Sequence, residues 1–130
     1  MSEIMSGNWN KMPWREIRDG IKQVTLAMGA DDCTVTIGQV VAGHAKRPHS
    51  HPEEQVALVI SGECDYYVDG VPHRLTPGGF VVVPGGVEHY IDVHDTDITC
   101  FQMDIFGTPR PEFKETYTKF IEELGFAAYQ

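Results

Sequence analysis

The stretch that decides the fold lies at residues 48–55 and reads Pro-His-Ser-His-Pro-Glu-Glu-Gln. Successive side chains of an extended strand point to opposite faces, so His49 and His51 point the same way. Gln55 has the same parity and can rejoin that face once the chain has passed Pro52. Two imidazoles and one amide on a single face are half of a site that can coordinate one cation.

The second half of that site lies at residues 78–89, where the chain reads Gly-Gly-Phe-Val-Val-Val-Pro-Gly-Gly-Val-Glu-His. A Pro-Gly-Gly turn places His89 at the start of a new strand. We therefore predict that His49, His51 and His89 ligate a divalent transition metal. Imidazole suits Zn, Ni, Fe, Cu and Mn with little selectivity, so the sequence leaves the identity of the metal open.

Gln55 is the predicted fourth ligand, although it can instead hydrogen-bond beside the metal. Its rival Glu54 has the opposite parity and is expected on the other face. If Gln55 coordinates, no ligand carries a charge, and the ion keeps its full charge. That arrangement favours the polarisation of a carbonyl, an enol or a water molecule.

Composition and turn spacing predict the fold class. The chain has 130 residues, 42% of them hydrophobic, with 13 glycines and 8 prolines. This length suits one domain over residues 1–130. Turn signals at short, regular intervals favour an all-β sandwich or barrel, and Asp69-Gly70 is the strongest hairpin signal. The predicted strands span residues 21–27, 33–37, 55–60, 64–68, 71–75, 80–83, 89–93 and 98–106.

The two ends of the chain differ from this pattern. Residues 1–13 are polar and are predicted to form a flexible arm, anchored by Trp9 and Trp14. A short C-terminal helix is predicted over residues 111–125, because apolar residues there recur at helical spacing. The stripe consists of Phe113, Tyr117, Phe120, Ile121 and Leu124, and we expect it to pack on the barrel or on a second subunit.

Charge and hydropathy exclude several classes of function. The formal net charge is −9, which argues against nucleic acid and against an anionic membrane surface as partners. We find no apolar run of membrane-spanning length and no signal-peptide core, so we expect a cytoplasmic protein. The three cysteines, an odd number, are expected to be buried thiols. A small acidic substrate is compatible with this charge, since one local arginine can override the global field.

The last long strand carries a candidate proton-transfer group. Cys100, Gln102, Asp104 and Phe106 share one face of that strand. If this face lines the barrel interior, Asp104 is a charge in a mostly apolar cavity, which is costly unless the group is paired or functional. We predict Asp104 as a general acid or base and Arg110 as a clamp for a substrate carboxylate. The opposite face of this strand is apolar, so we expect it to be buried against another layer of the protein or a partner chain, and we expect a homodimer.

The two histidine segments resemble the two motifs of the cupin superfamily, in order and at the right spacing. The first motif corresponds to Gly43, His49, His51, Gln55 and Gly62, and the second to Gly78, Pro84, Gly86 and His89. The resemblance implies a double-stranded β-helix, the cupin jelly-roll barrel. The other three histidines, His44, His73 and His94, are predicted to be ordinary surface residues.

Further residues resemble the KdgF group of cupins. They are the runs at residues 14–16, 20–22 and 49–55, the run 104–106, and the pair Pro109-Arg110. KdgF proteins convert 4,5-unsaturated monouronates, which polysaccharide lyases release from pectin and alginate, into open-chain keto acids. The resemblance implies metal ligation by His49, His51, Gln55 and His89. It also implies active-site roles for Asp104, Phe106 and Arg110.

Three functions follow as hypotheses. The first is a metal-dependent enzyme, of lyase or isomerase type, that opens the ring of an unsaturated uronate or a similar sugar acid. The second is a mononuclear iron dioxygenase, as other cupins are, which oxygen consumption would reveal. The third is a non-catalytic module that binds a sugar acid, which would show saturable binding without turnover.

Overall fold

The computed structural model describes residues 2–126 and consists of two antiparallel sheets and one α-helix. The strands are β1 (Arg15–Arg18), β2 (Ile21–Leu26), β3 (Thr34–Val40), β4 (Gln55–Ser61), β5 (Cys64–Val68), β6 (Val71–Leu75), β7 (Phe80–Val83), β8 (His89–Asp92) and β9 (Cys100–Phe106). A 3-10 helix spans Trp9–Lys11, and helix α1 spans Pro111–Glu123. The all-β prediction with a C-terminal helix is confirmed.

The larger sheet has six strands in the order β1-β2-β3-β9-β4-β7, and the smaller has three in the order β6-β5-β8. Neighbours such as β3 and β9, or β4 and β9, are far apart in sequence, so the chain crosses between the sheets repeatedly. This winding brings β4, which follows the first histidine segment, beside β9, which carries Asp104. β8 begins at His89 in the facing sheet.

A first apolar core fills the space between the two sheets. Its buried members are Ile21, Val40, Ala57, Val59, Cys64, Tyr66, Leu75, Val83, Val93 and Cys100. Cys64 and Cys100 are free thiols within it, as predicted, whereas Cys33 is only half-buried. Burial of such side chains is the main favourable contribution to folding.

A second apolar core lies on the other face of β2 and β3, where α1 packs. Val24, Ile37, Tyr117 and Ile121 are buried there together with Met12. The predicted stripe of α1 is thus correct at Tyr117 and Ile121. The prediction that Leu124 belongs to this apolar stripe is wrong, because α1 ends at Glu123 and Leu124 is 59% exposed.

Residues 2–13 contribute to this second core. Trp9 packs against the cluster and Met12 is buried in it. The backbone N–H of Glu3 also donates to the carbonyl of Gly29, at 2.8 Å. The segment expected as a flexible arm is therefore held at several points, with apolar burial as the reason.

Strand β1, and with it the hairpin that β1 forms with β2, was not predicted, whereas β2 itself was predicted over residues 21–27. The hairpin turns at Gly20, whose φ of +77° is in the left-handed region that favours glycine. A Cβ atom at Gly20 would lie 2.7 Å from the Cα atom of His44. No helix within residues 2–126 is long and apolar enough to cross a membrane.

His44 packs against that turn. Of the three histidines predicted to lie at the surface, it is the one for which the prediction is wrong. Its residue is only 6% exposed, and its Nε2 atom accepts a hydrogen bond from the backbone N–H of Val93 at 3.0 Å. The ring satisfies a buried donor that would otherwise lack a partner, so its role is structural. His73 and His94 are exposed, as predicted.

Candidate metal centre and cavity

The two histidine segments meet directly. His49 and His89 form an isolated antiparallel bridge, in which the N–H of His89 donates to the carbonyl of His49 at 2.9 Å and the reverse bond measures 3.2 Å. The N–H of Gly86 donates to the carbonyl of His51 at 2.7 Å. The Pro-Gly-Gly turn is thus tied to the His-Ser-His run, and it brings three imidazoles together.

Each of the three rings is oriented by a backbone carbonyl two residues away. The Nδ1 atom of His49 lies 2.6 Å from the carbonyl of Arg47, that of His51 lies 2.9 Å from Glu53, and that of His89 lies 2.8 Å from Val87. A carbonyl only accepts, so each Nδ1 carries the proton and each Nε2 presents a lone pair. Metal-ligating histidines are commonly oriented in this way.

These nitrogens converge on one point. One ring nitrogen of each of His49, His51 and His89 lies within 4.8 Å of the other two, and the Nε2 atoms of His51 and His89 are 3.1 Å apart. Two ligand atoms that are each about 2.1 Å from a metal lie about 3.0–3.4 Å from one another at ordinary coordination angles. The 3.1 Å spacing of the His51 and His89 nitrogens therefore fits a shared divalent ion.

Gln55 completes the cluster as the first residue of β4. Its Oε1 atom lies 3.0 Å from Nε2 of His51. Its Nε2 atom donates to the hydroxyl of Tyr66 at 3.1 Å and to Oδ1 of Asp104 at 2.5 Å. These two acceptors orient the amide so that its oxygen faces the imidazoles. The facing atoms of Gln55, His51 and His89 then all present lone pairs, an arrangement that a bound cation stabilises.

Burial and the nearby imidazoles lower the pKa of His49 and of His89. Desolvation, assisted by the charges that His49 and His51 would carry, lowers the pKa of His89 to about 4. Burial likewise lowers the pKa of His49. Neutral imidazole is the form that binds metal, so both effects favour ligation near neutral pH. A three-histidine cluster that can hold a metal ion, as the sequence predicted, is present.

Asp104 lies on the cavity side of β9, as the strand parity predicted. Its Oδ1 atom accepts from the side-chain amides of Gln55, at 2.5 Å, and Gln102, at 2.6 Å. Burial raises the pKa of Asp104 to about 6, even though both hydrogen bonds favour the charged form. A carboxyl group with this pKa can hold and release a proton near neutral pH.

Tyr66 is a member of the site that the sequence analysis did not identify. The structure places Tyr66 inside, 3% exposed, with its hydroxyl at the amide of Gln55. Burial and the charge of Asp104 raise the pKa of Tyr66 well above its usual value, so the phenol stays protonated. Tyr66 has the parity of buried Cys64 on β5, and that signal could have identified it.

Arg110 lies between two aromatic rings at the start of α1. Its guanidinium carbon is 4.9 Å from the ring centre of Phe106 and 4.7 Å from that of Phe113. Its Nε atom donates to Glu112 at 2.9 Å and lies 3.6 Å from a carboxylate oxygen of Glu53. Cation–π contacts and these carboxylates hold the group in one orientation.

One cavity of about 440 Å³ joins these groups. Its lining includes His49, His51, Gln55, Asp104, Phe106 and Arg110, which are six of the seven residues predicted for the site. His89, the seventh, meets them through its ring nitrogen. The volume is within the range of pockets that bind small organic molecules.

Comparison with known proteins agrees with this architecture. A family model described as the cupin domain matches residues 24–106. The Dickeya dadantii pectin degradation protein KdgF is 24% identical over 106 residues, which are 80% of this chain and 93% of that protein. The solved structure of KdgF from Halomonas sp. superimposes with a TM-score of 0.74 at 23% identity, over 85% of this chain and 98% of that one.

A second kind of relative is the dimethylsulfoniopropionate lyase DddW of Ruegeria pomeroyi. It is 28% identical over 81 residues, which are 62% of this chain. The present chain covers 50% of the length of that lyase. This chain is therefore similar in sequence to relatives with two different names, a pectin degradation protein and a lyase.

Proposed function

Because the chain belongs to the cupin domain family, we propose that it is a metal-dependent enzyme that converts a 4,5-unsaturated uronate, or a similar small sugar acid, into its open-chain keto form. The observation that carries the proposal is the convergence of His49, His51 and His89 beside Asp104 in one cavity. The likeness to KdgF over most of both chains supports the substrate class.

Three imidazoles and Gln55 would hold the ion without adding negative charge. A divalent ion held there would supply Lewis acidity to an oxygen of the substrate. A bound ion would lower the barrier to ring opening, while the chain's own residues would bind the substrate and move the proton.

Asp104 is the proposed proton carrier. Opening an unsaturated uronate ring removes a proton from the anomeric hydroxyl, breaks the bond from the anomeric carbon to the ring oxygen, and protonates C4. The reaction is an isomerisation, so one carboxyl group can take the first proton and return it. Within residues 2–126 no hydrogen bond reaches Oδ2 of Asp104, while Oδ1 receives two, which leaves Oδ2 for this role.

Tyr66 and Arg110 are the proposed positioning groups. The Tyr66 phenol stays protonated and can donate to a substrate oxygen. Arg110, fixed by Phe106 and Phe113, can bind the substrate carboxylate in bidentate fashion.

The test is the rate at which the enol-ether absorbance of 4,5-unsaturated galacturonate disappears. We expect metal-loaded protein to exceed the buffer rate and chelator-treated protein to fall towards it. The control is Asp97→Asn, which alters an exposed carboxylate outside the cavity. If metal-loaded protein gives the buffer rate, the substrate assignment is wrong.

The similarity to DddW favours elimination from dimethylsulfoniopropionate as the second candidate. Asp104 would then abstract a proton beside the carboxylate. A sulfonium cation is poorly suited to this cavity, however, because four arginines line it and only two acidic residues do. Release of dimethyl sulfide, measured by gas chromatography, distinguishes the two reactions.

A further inference from the structure

Arginine is unevenly distributed in this acidic chain. Of the five arginines in the sequence, four line the cavity, and none of the five lysines does. The four are Arg15, Arg18, Arg47 and Arg110. The acidic residues of the lining are Asp104 and Glu112 alone. A protein of formal net charge −9 thus surrounds its cavity with positive charge.

Within the described residues 2–126, only Arg110 of these four arginines has an acidic partner. Arg110 is paired with Glu112 and lies near Glu53. Among residues 2–126, no carboxylate lies within ion-pair distance of Arg15, Arg18 or Arg47. Cationic side chains left unpaired at the wall of a concave site are a receptor for an anion.

Arg18 shows the clearest sign of a missing partner. Its Nε atom is buried and has no hydrogen-bond partner in the described chain. Burial, together with the nearby charge of Arg47, lowers the pKa of Arg18. An unsatisfied buried donor on a cation costs free energy unless a ligand satisfies it.

Arg18, Arg47 and Arg110 come from three different segments of the chain. Arg18 is on β1 and Arg47 precedes His49, whose pKa both arginines lower. Arg110 lies instead beside Phe106 and Phe113. Two arginines of the lining therefore act on His49, whereas Arg110 is held by the two aromatic rings.

We propose that Arg18 and Arg47, assisted by Arg15, form a second anion-binding subsite, and that the preferred substrate is a sugar acid with two anionic groups. This inference rests on the proposed function for the identity of the sugar. The second anion is a sulfate ester on the same ring, because a neighbouring uronate residue would occupy the anomeric oxygen that the proposed ring opening needs free.

The test measures binding without turnover, using saturated ligands on metal-loaded protein. Calorimetry compares galacturonate, which has one anionic group, with digalacturonate and glucuronate 2-sulfate, which have two. We expect glucuronate 2-sulfate to bind tenfold or more tightly than galacturonate, with an advantage that shrinks as salt rises. An advantage shown by digalacturonate alone would refute the assignment of the second anion to a sulfate ester.

The second part of the test uses variants. The quantity compared between proteins is the ratio of the dianion affinity to the galacturonate affinity. Arg18→Met and, independently, the exposed Arg47→Met should each lower the ratio of dianion to galacturonate affinity towards one. Arg74→Met, which alters the one arginine outside the cavity, should leave the ratio at its wild-type value. Equal binding of all three ligands by the wild type, or an unchanged ratio in both cavity variants, overturns the proposal.

The two proposals can fail separately. Selective dianion binding without turnover of any unsaturated uronate would refute the proposed reaction and leave the subsite intact. Turnover of the unsaturated monouronate without a dianion advantage would refute the subsite alone.

Discussion

Replacing Asp104 by asparagine should lower activity strongly. It should also change stability in a pH-dependent way: relative to the wild type, the free energy of unfolding of the variant should be higher above pH 6 than at pH 4. Burial raises the folded-state pKa of Asp104 to about 6, from 3.8. For an acid with a raised folded pKa, the unfolded state loses its proton first, so stability is lost as pH rises from about 4 through 6. About two pKa units correspond to about 3 kcal/mol.

The substitution keeps part of the local bonding. Asparagine retains the Oδ1 atom that accepts from Gln55 and Gln102. Its new NH₂ group lacks an obvious acceptor, which costs about 1–3 kcal/mol at every pH. The informative quantity is therefore the difference in unfolding free energy between variant and wild type, which should move by about 3 kcal/mol in favour of the variant between pH 4 and pH 8.

The assay is urea unfolding of metal-free protein at several pH values, with turnover measured on the metal-loaded protein. We expect kcat to fall by a factor of about 10²–10⁴, the usual contribution of a proton-transfer group. Asp97→Asn should change neither quantity. A stability difference that does not depend on pH would show that Asp104 is not desolvated, and wild-type activity in Asp104→Asn would remove it from the mechanism.

Three further predictions concern stability and titration. Burial lowers the pKa of His89 to about 4, so in metal-free protein the contribution of His89 to the free energy of unfolding is full above pH 6.5 and falls by about 3 kcal/mol towards pH 4. Urea unfolding of the wild type and of His89→Asn should show this pH dependence in the difference between the two proteins, and a difference that does not change with pH contradicts it. Hydrogen bonds to Asp65 and then to Asp95 raise the pKa of His94, so the stabilisation that these bonds give to the folded state is present below pH 6.5 and is lost as pH rises through the folded-state pKa. In NMR titrations Asp65→Asn should lower the pKa of His94, and a wild-type pKa at or below 6.5 refutes the pairing. Gly20→Ala should cost about 2 kcal/mol or more, because φ is +77° and the new Cβ would lie 2.7 Å from a backbone atom; thermal unfolding should show no such loss for Gly107→Ala, which meets nothing within 4 Å.

Strand parity predicted much of the fold and the centre of the site. The bounds of β5, β6 and β7 match the prediction, since turns with glycine and proline mark their ends. Parity also placed Gln55 and Asp104 on the cavity side. These features are local, so sequence alone could supply them.

What the sequence could not supply depends on contacts between distant segments. β1 has two arginines in four residues and no apolar alternation, and its strand pairing is determined by β2. His44 is buried only because Val93, far along the chain, presents a backbone donor to it. The surface position predicted for His44 was therefore wrong. The gathering of Arg18 and Arg47 around the cavity is likewise visible only in three dimensions.

Elemental analysis of the purified protein tests the central claim most directly. We predict about one divalent transition-metal ion per chain in the wild type and almost none in the His49→Ala, His51→Ala double variant. A double variant of the exposed His73 and His94 should keep the wild-type metal content. Wild-type protein that takes up no metal when dialysed against zinc, nickel, iron or manganese, or a His49→Ala, His51→Ala variant that keeps its metal, would contradict the account.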